Sequence, residues 1–144
     1  GEVVIQTYAP ENSVIKNAKK LDISSFYQSA LKEREDLNYP PYSWLAKIEV
    51  TGSNRSDLVS IIEKIHSNIR GKFLGLEILG PSPCFLEKLK NKYRYQIVFK
   101  SKKTLDPNGG KIHSFMKKNF FNANKKFQLR QNRLNIYFDP MSLI

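Results

Sequence analysis

The stretch Leu79 to Gln96, LGPSPCFLEKLKNKYRYQ, sets cations and aromatics side by side just past a rigid turn. Lys88, Lys90 and Lys92 are two apart, and on an extended strand that spacing directs all three to one face. Arg94 continues the row, while Tyr93 and Tyr95 share the other parity with Glu87 and Leu89. Rows of Lys and Arg neutralise phosphates and exposed tyrosines stack on unpaired bases, so the pattern suits a nucleic-acid ligand. The same spacing also describes a solvated edge hairpin whose lysines discourage aggregation. Trp44 and Phe85 are read as core residues.

The distribution of charge favours the polyanion. Residues 1–85 carry ten Lys and Arg against ten Asp and Glu, whereas residues 86–138 carry fourteen basic residues and only Glu87 and Asp106 as acids. The whole excess behind the net charge of +11 therefore lies in the C-terminal part. A neutral segment beside a strongly positive one makes a directed field that attracts nucleic acid. An anionic membrane is the weaker alternative, because no basic stripe is paired with a long apolar face that would need lipid to cover it.

At 144 residues with 40% hydrophobic content, the chain can bury a core and form one domain with attached elements. No apolar run approaches the roughly 20 residues of a membrane span, and no signal peptide is visible, so a soluble cytoplasmic monomer is expected. Cys84 is the only cysteine, which excludes an internal disulfide, and with His66 and His113 it falls far short of a zinc ligand set.

Several elements are needed to position the basic stretch. Val3 to Thr7 is a β-branched run that reads as a strand without a nearby partner. Asp22 can cap a helix with Ile23, Phe26, Tyr27, Ala30 and Leu31 at helical spacing, stopping before Tyr39-Pro40-Pro41-Tyr42. Trp44 to Val50 alternates as a strand. Asn54 and Asp57 open a helix with the stripe Leu58, Ile61, Ile62, Ile65 and Ile69, closed by Gly71. Leu74 to Leu79 reads as a strand, Gly80 to Pro83 as a turn, and Tyr93 to Lys100 as the returning strand. A helix between Asp106 and Phe121 shares Ile112, Phe115, Met116 and Phe120 on one face, with Gly109 and Gly110 weakening its first turn by about 1 kcal/mol each. Arg133 to Asp139 alternates as a last strand. From Trp44 the order is strand, helix, strand, strand, helix, strand: an α+β, split βαβ, ferredoxin-like and ribosomal-protein-like four-stranded sheet with two packed helices, preceded by an N-terminal strand and helix.

No catalytic constellation emerges. Gly75 and Gly80 have phosphate-loop spacing, but Pro81 and Ser82 stand where Lys and Ser or Thr are required. His66 and His113 lack a nucleophile or carboxylate arranged around them and read as surface or packing residues. Glu33, Glu35 and Asp36, amid Lys32 and Arg34, form a solvated helix face with i,i+4 pairs rather than a metal site. An acylphosphatase-like enzyme would need a glycine-rich anion cradle, and Gly52-Ser53-Asn54-Arg55 lacks that pattern.

Four separated motifs also carry a family resemblance: Gly1 to Tyr8 with Pro10-Glu11; Tyr39-Pro40-Pro41-Tyr42 followed by Leu45-Ala46; Leu79 to Pro83 leading to Lys88 and Tyr93-Arg94-Tyr95-Gln96; and Asp139-Pro140-Met141-Ser142-Leu143. In order and spacing they resemble the C-terminal end of the primosomal protein N′ family, the bacterial replication-restart DNA helicases. Asn12-Ser13 departs from the histidine that often follows the glutamate there. The resemblance implies that residues 1–38 end the second motor lobe and supply a connecting helix, and that residues 39–144 are a split βαβ DNA-contact domain. It also implies that the ATP, magnesium and zinc sites of the full-length 3′ to 5′ helicase lie outside this chain, which would hold no cofactor and no ATPase of its own. Its partners would be forked or single-stranded DNA, single-strand DNA-binding protein with its acidic tail, and other primosome proteins.

Within this frame Lys88, Lys90, Lys92 and Arg94 are expected to contact phosphates, with Tyr93 or Tyr95 available to bases. A second basic surface, Lys111, Lys117, Lys118, Lys125, Lys126 and Arg130, suits either DNA or an acidic tail. A non-catalytic RNA-binding module, or a docking module that meets acidic protein surfaces without DNA affinity, shares the same basic design.

Overall fold

The computed structural model describes residues 1–71 and 75–140. Leu74, the expected start of a strand, and Met141 to Leu143 of the last motif lie outside the described residues. The chain divides into two compact units, Gly1–Leu37 and Asn38–Ile144.

The first unit holds two helices. Asn12 caps α1 (Ser13–Lys20) by accepting the Val14 N–H at 2.8 Å, and Lys19 and Lys20 sit in its last turn, where a cation suits the helix dipole. Asp22 caps α2 (Ile23–Asp36), accepting the backbone N–H and the hydroxyl of Ser25 at 3.0 and 2.7 Å. These bonds hold its carboxyl below the usual carboxylate range. Neither helix buries a residue. The expected strand at Val3 to Thr7 is absent: these residues are irregular, and Val3 and Val4 stand exposed. A single extended segment has no ladder to complete, so β-branched composition alone cannot make it a strand.

The second unit is built as β1 (Ser43–Gly52), α3 (Arg55–Ile69), β2 (Leu76–Leu89), β3 (Lys92–Lys102), α4 (Gly110–Phe120), α5 (Ala123–Phe127) and β4 (Arg133–Phe138). The sheet order is β2-β3-β1-β4 with every neighbouring pair antiparallel, which is the split βαβ arrangement read from the sequence. Alternation on β1 and β3 sends Ala46, Ile48, Val50, Tyr95, Ile97 and Phe99 into one core with Leu58, Ile62, Ile65 and Ile69 of α3 and Ile112, Phe115, Met116 and Phe120 of α4. Each fully buried Ile or Phe contributes about 1.5–3 kcal/mol. Phe99 meets Phe115 and Phe120 with ring centroids 5.8 and 5.9 Å apart, and α5 adds Phe127.

Helix starts follow local chemistry. Asn54 accepts the Ser56 and Asp57 N–H groups and opens α3. Gly109 does not weaken α4; it stands just before the helix at φ 70°, a left-handed conformation that disfavours other residues, and an added Cβ would press the Trp44 ring at 3.3 Å. Asp106 then reaches back over the first turn, accepting the Lys111 and Ile112 N–H groups at 3.1 and 3.0 Å and the Ser101 hydroxyl at 3.3 Å. Burial alone would raise its pKa, yet these bonds outweigh it and the carboxyl is lowered. Trp44 is half-buried and donates its indole N–H to the Asp106 carbonyl at 2.8 Å.

One expectation about β2 changes. The strand does not end at a Gly80 to Pro83 turn but runs on to Leu89, absorbing the prolines through register irregularities. Because β2 is an edge strand, its prolines leave no neighbouring ladder unpaired on the outer side.

Candidate nucleic-acid interface

The reversal of the hairpin falls at Lys90-Asn91, whose φ values of 48° and 59° are those of a tight two-residue turn. Leu89 pairs with Lys92 and Lys88 with Tyr93, so the three lysines do not form a row along one strand. Lys88 shares the face of Tyr93, with its Nζ 5.1 Å from that ring centroid; Lys92 shares the opposite face with Leu89, and Lys90 crowns the turn. The expected comb is instead a cationic tip folded around the end of a hairpin. Lys88, Lys90 and Lys92 are all exposed, and among the described residues none of them forms an ion pair.

Arg94 and Tyr95 are engaged elsewhere. Arg94 makes a forked pair with Glu49, Nε–Oε1 3.2 Å and Nη2–Oε2 2.9 Å, and Lys47 approaches the same carboxylate at 3.7 Å. The pair with Glu49 raises the guanidinium's pKa further. Arg94 is thus committed within the sheet rather than presented to phosphates. Tyr95 is 6% exposed, with its ring in the core and its hydroxyl donating to Glu87 at 3.0 Å; burial and this bond raise its pKa. It offers no face to a base. Tyr93 remains half-buried beneath Lys88.

Between the Pro83–Tyr95 and Lys88–Tyr93 pairs, Cys84, Phe85, Leu86 and Glu87 stand opposite Arg94 alone. This bulge has two tethers. Cys84 is buried, with its Sγ 3.8 Å from Glu49 and 3.6 Å from Gln96; burial, then the Glu49 charge, pushes its thiol up to about 11. Glu87 accepts Arg55 Nε at 2.6 Å as well as Tyr95, and these bonds lower its pKa. Phe85, expected in the core, is 75% exposed, and Leu86 beside it is 53% exposed. Simple alternation gave no sign of this, because the bulge depends on a cross-strand register that a single strand does not display.

The second basic surface divides. Lys111, Lys118 and Lys126 line a groove of about 820 Å³ along α4 with Ser114, Phe115 and Asn119. Lys111 also donates to the Leu105 carbonyl at 2.5 Å, and Lys126 to that of Asn119 at 3.4 Å. Lys117 and Lys125 are exposed but outside that lining, and Arg130 lines a different groove with Lys64 and Asp57. Among the described residues no cluster of His, Cys, Asp and Glu could hold a metal ion, and no helix is long and apolar enough to cross a membrane.

The family model for the primosomal protein N C-terminal domain matches residues 35–141, which include the entire sheet and both basic surfaces. The chain belongs to this family. As a member of the primosomal protein N C-terminal domain family, it is similar to the replication restart protein PriA of Bacillus subtilis, 28% identical over the whole chain and 17% of that relative. It is 32% identical to PriA of Thermotoga maritima, over 70% of the chain and 13% of the relative, and 35% identical to PriA of Synechocystis sp., over 69% and 12%. The chain spans less than a fifth of the length of these curated relatives. The family's matched segment thus contains the cationic hairpin tip, the Phe85 bulge and the α4 groove.

Proposed function

We propose that this chain is the DNA-contact domain at the C-terminal end of a replication-restart helicase, and that it grips the phosphates of forked or single-stranded DNA with its hairpin tip. The observation that carries this reading is the set of three exposed lysines, Lys88, Lys90 and Lys92, gathered at one turn without ion-pair partners among the described residues. Cations at an exposed turn that hold no ion pair gain from a polyanion without first breaking a salt bridge. In this reading the first unit belongs to the motor, and ATP, magnesium and zinc are bound by parts of the protein outside this chain.

The test is the salt dependence of DNA binding by fluorescence anisotropy. Each phosphate neutralised contributes about −0.9 to the slope of log affinity against log salt on duplex and about −0.7 on single strands. Replacing Lys88, Lys90 and Lys92 together with Ala should flatten the slope by about 2 to 3. An unchanged slope would remove the tip from the interface.

The α4 groove supports a second contact, for the acidic tail of single-strand DNA-binding protein: Lys111, Lys118 and Lys126 rim an apolar floor at Phe115. That chemistry suits a peptide with carboxylates beside an apolar side chain better than a bare phosphate backbone. A labelled acidic peptide that binds with equal affinity before and after Lys118→Glu would refute this contact.

A further inference from the structure

Phe85 is an exposed aromatic held in place rather than a loose one. On its N-terminal side Cys84 is buried against Glu49 and Gln96; shortly beyond it Glu87 is clamped by Arg55 from the start of α3 and by the Tyr95 hydroxyl. With both sides tethered, the surplus residues of the bulge have one way to go, which is outward. Phe85 at 75% and Leu86 at 53% exposure therefore form an apolar step on a preorganised base. Leu89, 45% exposed, and then Lys90 follow towards the tip. Three residues of chain separate Phe85 from Lys88 by at most about 10 Å, a span of no more than one to two nucleotides along a strand.

We propose that this bulge is a base-stacking step: Phe85, with Leu86 beside it, covers the exposed base face at a junction between single-stranded and duplex DNA while Lys88, Lys90 and Lys92 hold the adjoining phosphates. The inference rests on the DNA-contact reading above and sharpens it to a class of substrate. An unpaired or terminal base offers a free π-face to an aromatic side chain, whereas a continuous duplex offers one only after unstacking. The lysines supply affinity without regard to structure, and Phe85 supplies the preference for a junction.

The experiment compares the chain with its Phe85→Ala, Phe85→Trp and Lys88→Ala/Lys90→Ala/Lys92→Ala variants. Their ligands are three labelled DNAs: a fork, a single strand, and a covalently closed circular duplex without ends or loops. Vesicles containing phosphatidylserine serve as the competing anionic surface, and thermal unfolding checks that each variant is folded. Phe85→Ala should weaken binding to the fork and the single strand by about 5- to 150-fold, the effect of losing one stacked base. Its salt slope and its affinity for the circular duplex should not change, and Phe85→Trp should restore the loss. If Phe85→Ala leaves fork affinity intact while the lysine variant still flattens the salt slope, the stacking step is wrong and the DNA-contact reading survives. If the unaltered chain binds no DNA at low salt, both fail. A loss of vesicle binding without a loss of DNA affinity would assign the step to lipid, and an equal loss on all three DNAs with a lowered Tm would make it structural.

Discussion

Arg94 shows how a residue of the right type can be occupied by other work. Its neighbours in sequence place it among phosphate-binding cations, but the fold brings Glu49, 45 positions earlier, across the β1–β3 ladder to meet it. The Glu49 side chain is 6% exposed and that of Arg94 21%. Lys47, 3.7 Å from the same carboxylate, still balances the Glu49 charge when Arg94 is removed, so the loss is that of the charged hydrogen bonds, about 1.5–3 kcal/mol. Arg94→Ala is therefore expected to lower the free energy of unfolding in urea by about 2 kcal/mol while leaving the salt slope of DNA binding unchanged. Lysine at this position should rescue only part of the loss, because it cannot reproduce the two-pronged contact. A full-stability Arg94→Ala with a flattened salt slope would return Arg94 to the interface. The cationic and aromatic composition of the site was legible in the sequence, but the choice between free and committed side chains was not, since Glu49 and Arg55 approach only through tertiary pairing.

The elements were easier to read where a local signal decided them. The periodic stripe and the Asn54 cap define α3, and the alternation of Trp44 to Val50 defines β1, because both arise within a few residues. Two short helices, α1 and α5, have 8 and 5 residues, too few for an apolar stripe to repeat along the sequence. The length of β2 was hidden as well, because two prolines look like a break until an edge position and a bulge accommodate them. The start of α4 is instructive, for its anchoring carboxylate, Asp106, lies several residues ahead of the first helical turn. Asp106→Ala should cost about 2 kcal/mol through the lost cap. Because the folded pKa of Asp106 lies below its unfolded value, the contribution is complete above about pH 3.9 and fades as pH falls through the folded pKa. The stability difference between the chain and Asp106→Ala should accordingly narrow in acid unfolding curves; a gap that stays constant down to pH 2 would show that ionisation of Asp106 contributes nothing.

At the scale of the whole chain, the two units differ in what holds them. Every residue of the hydrophobic core belongs to the second unit. In the first, α1 has 8 residues and α2 has 14, neither buries a side chain, and Leu21, Ile23 and Tyr27 are 84%, 65% and 60% exposed. Isolated helices below about 12–15 residues are marginal in water, and caps at Asn12 and Asp22 contribute only about 1 kcal/mol each. Apolar residues at helical spacing thus specify the helices without supplying the burial that would stabilise them. Hydrogen exchange reads this difference directly. Amides of Ser13 to Asp36 should exchange within a small factor of the unfolded-chain rate, whereas those of Ile48, Ile62 and Ile97 should exchange only through global unfolding. In the proposed reading, in which the first unit belongs to a motor, joining the chain to that motor should slow exchange selectively in α1 and α2. Protection of α1 and α2 as strong as that of β1 in this chain alone would mean that the first unit has an internal source of stability beyond its caps and its exposed apolar residues.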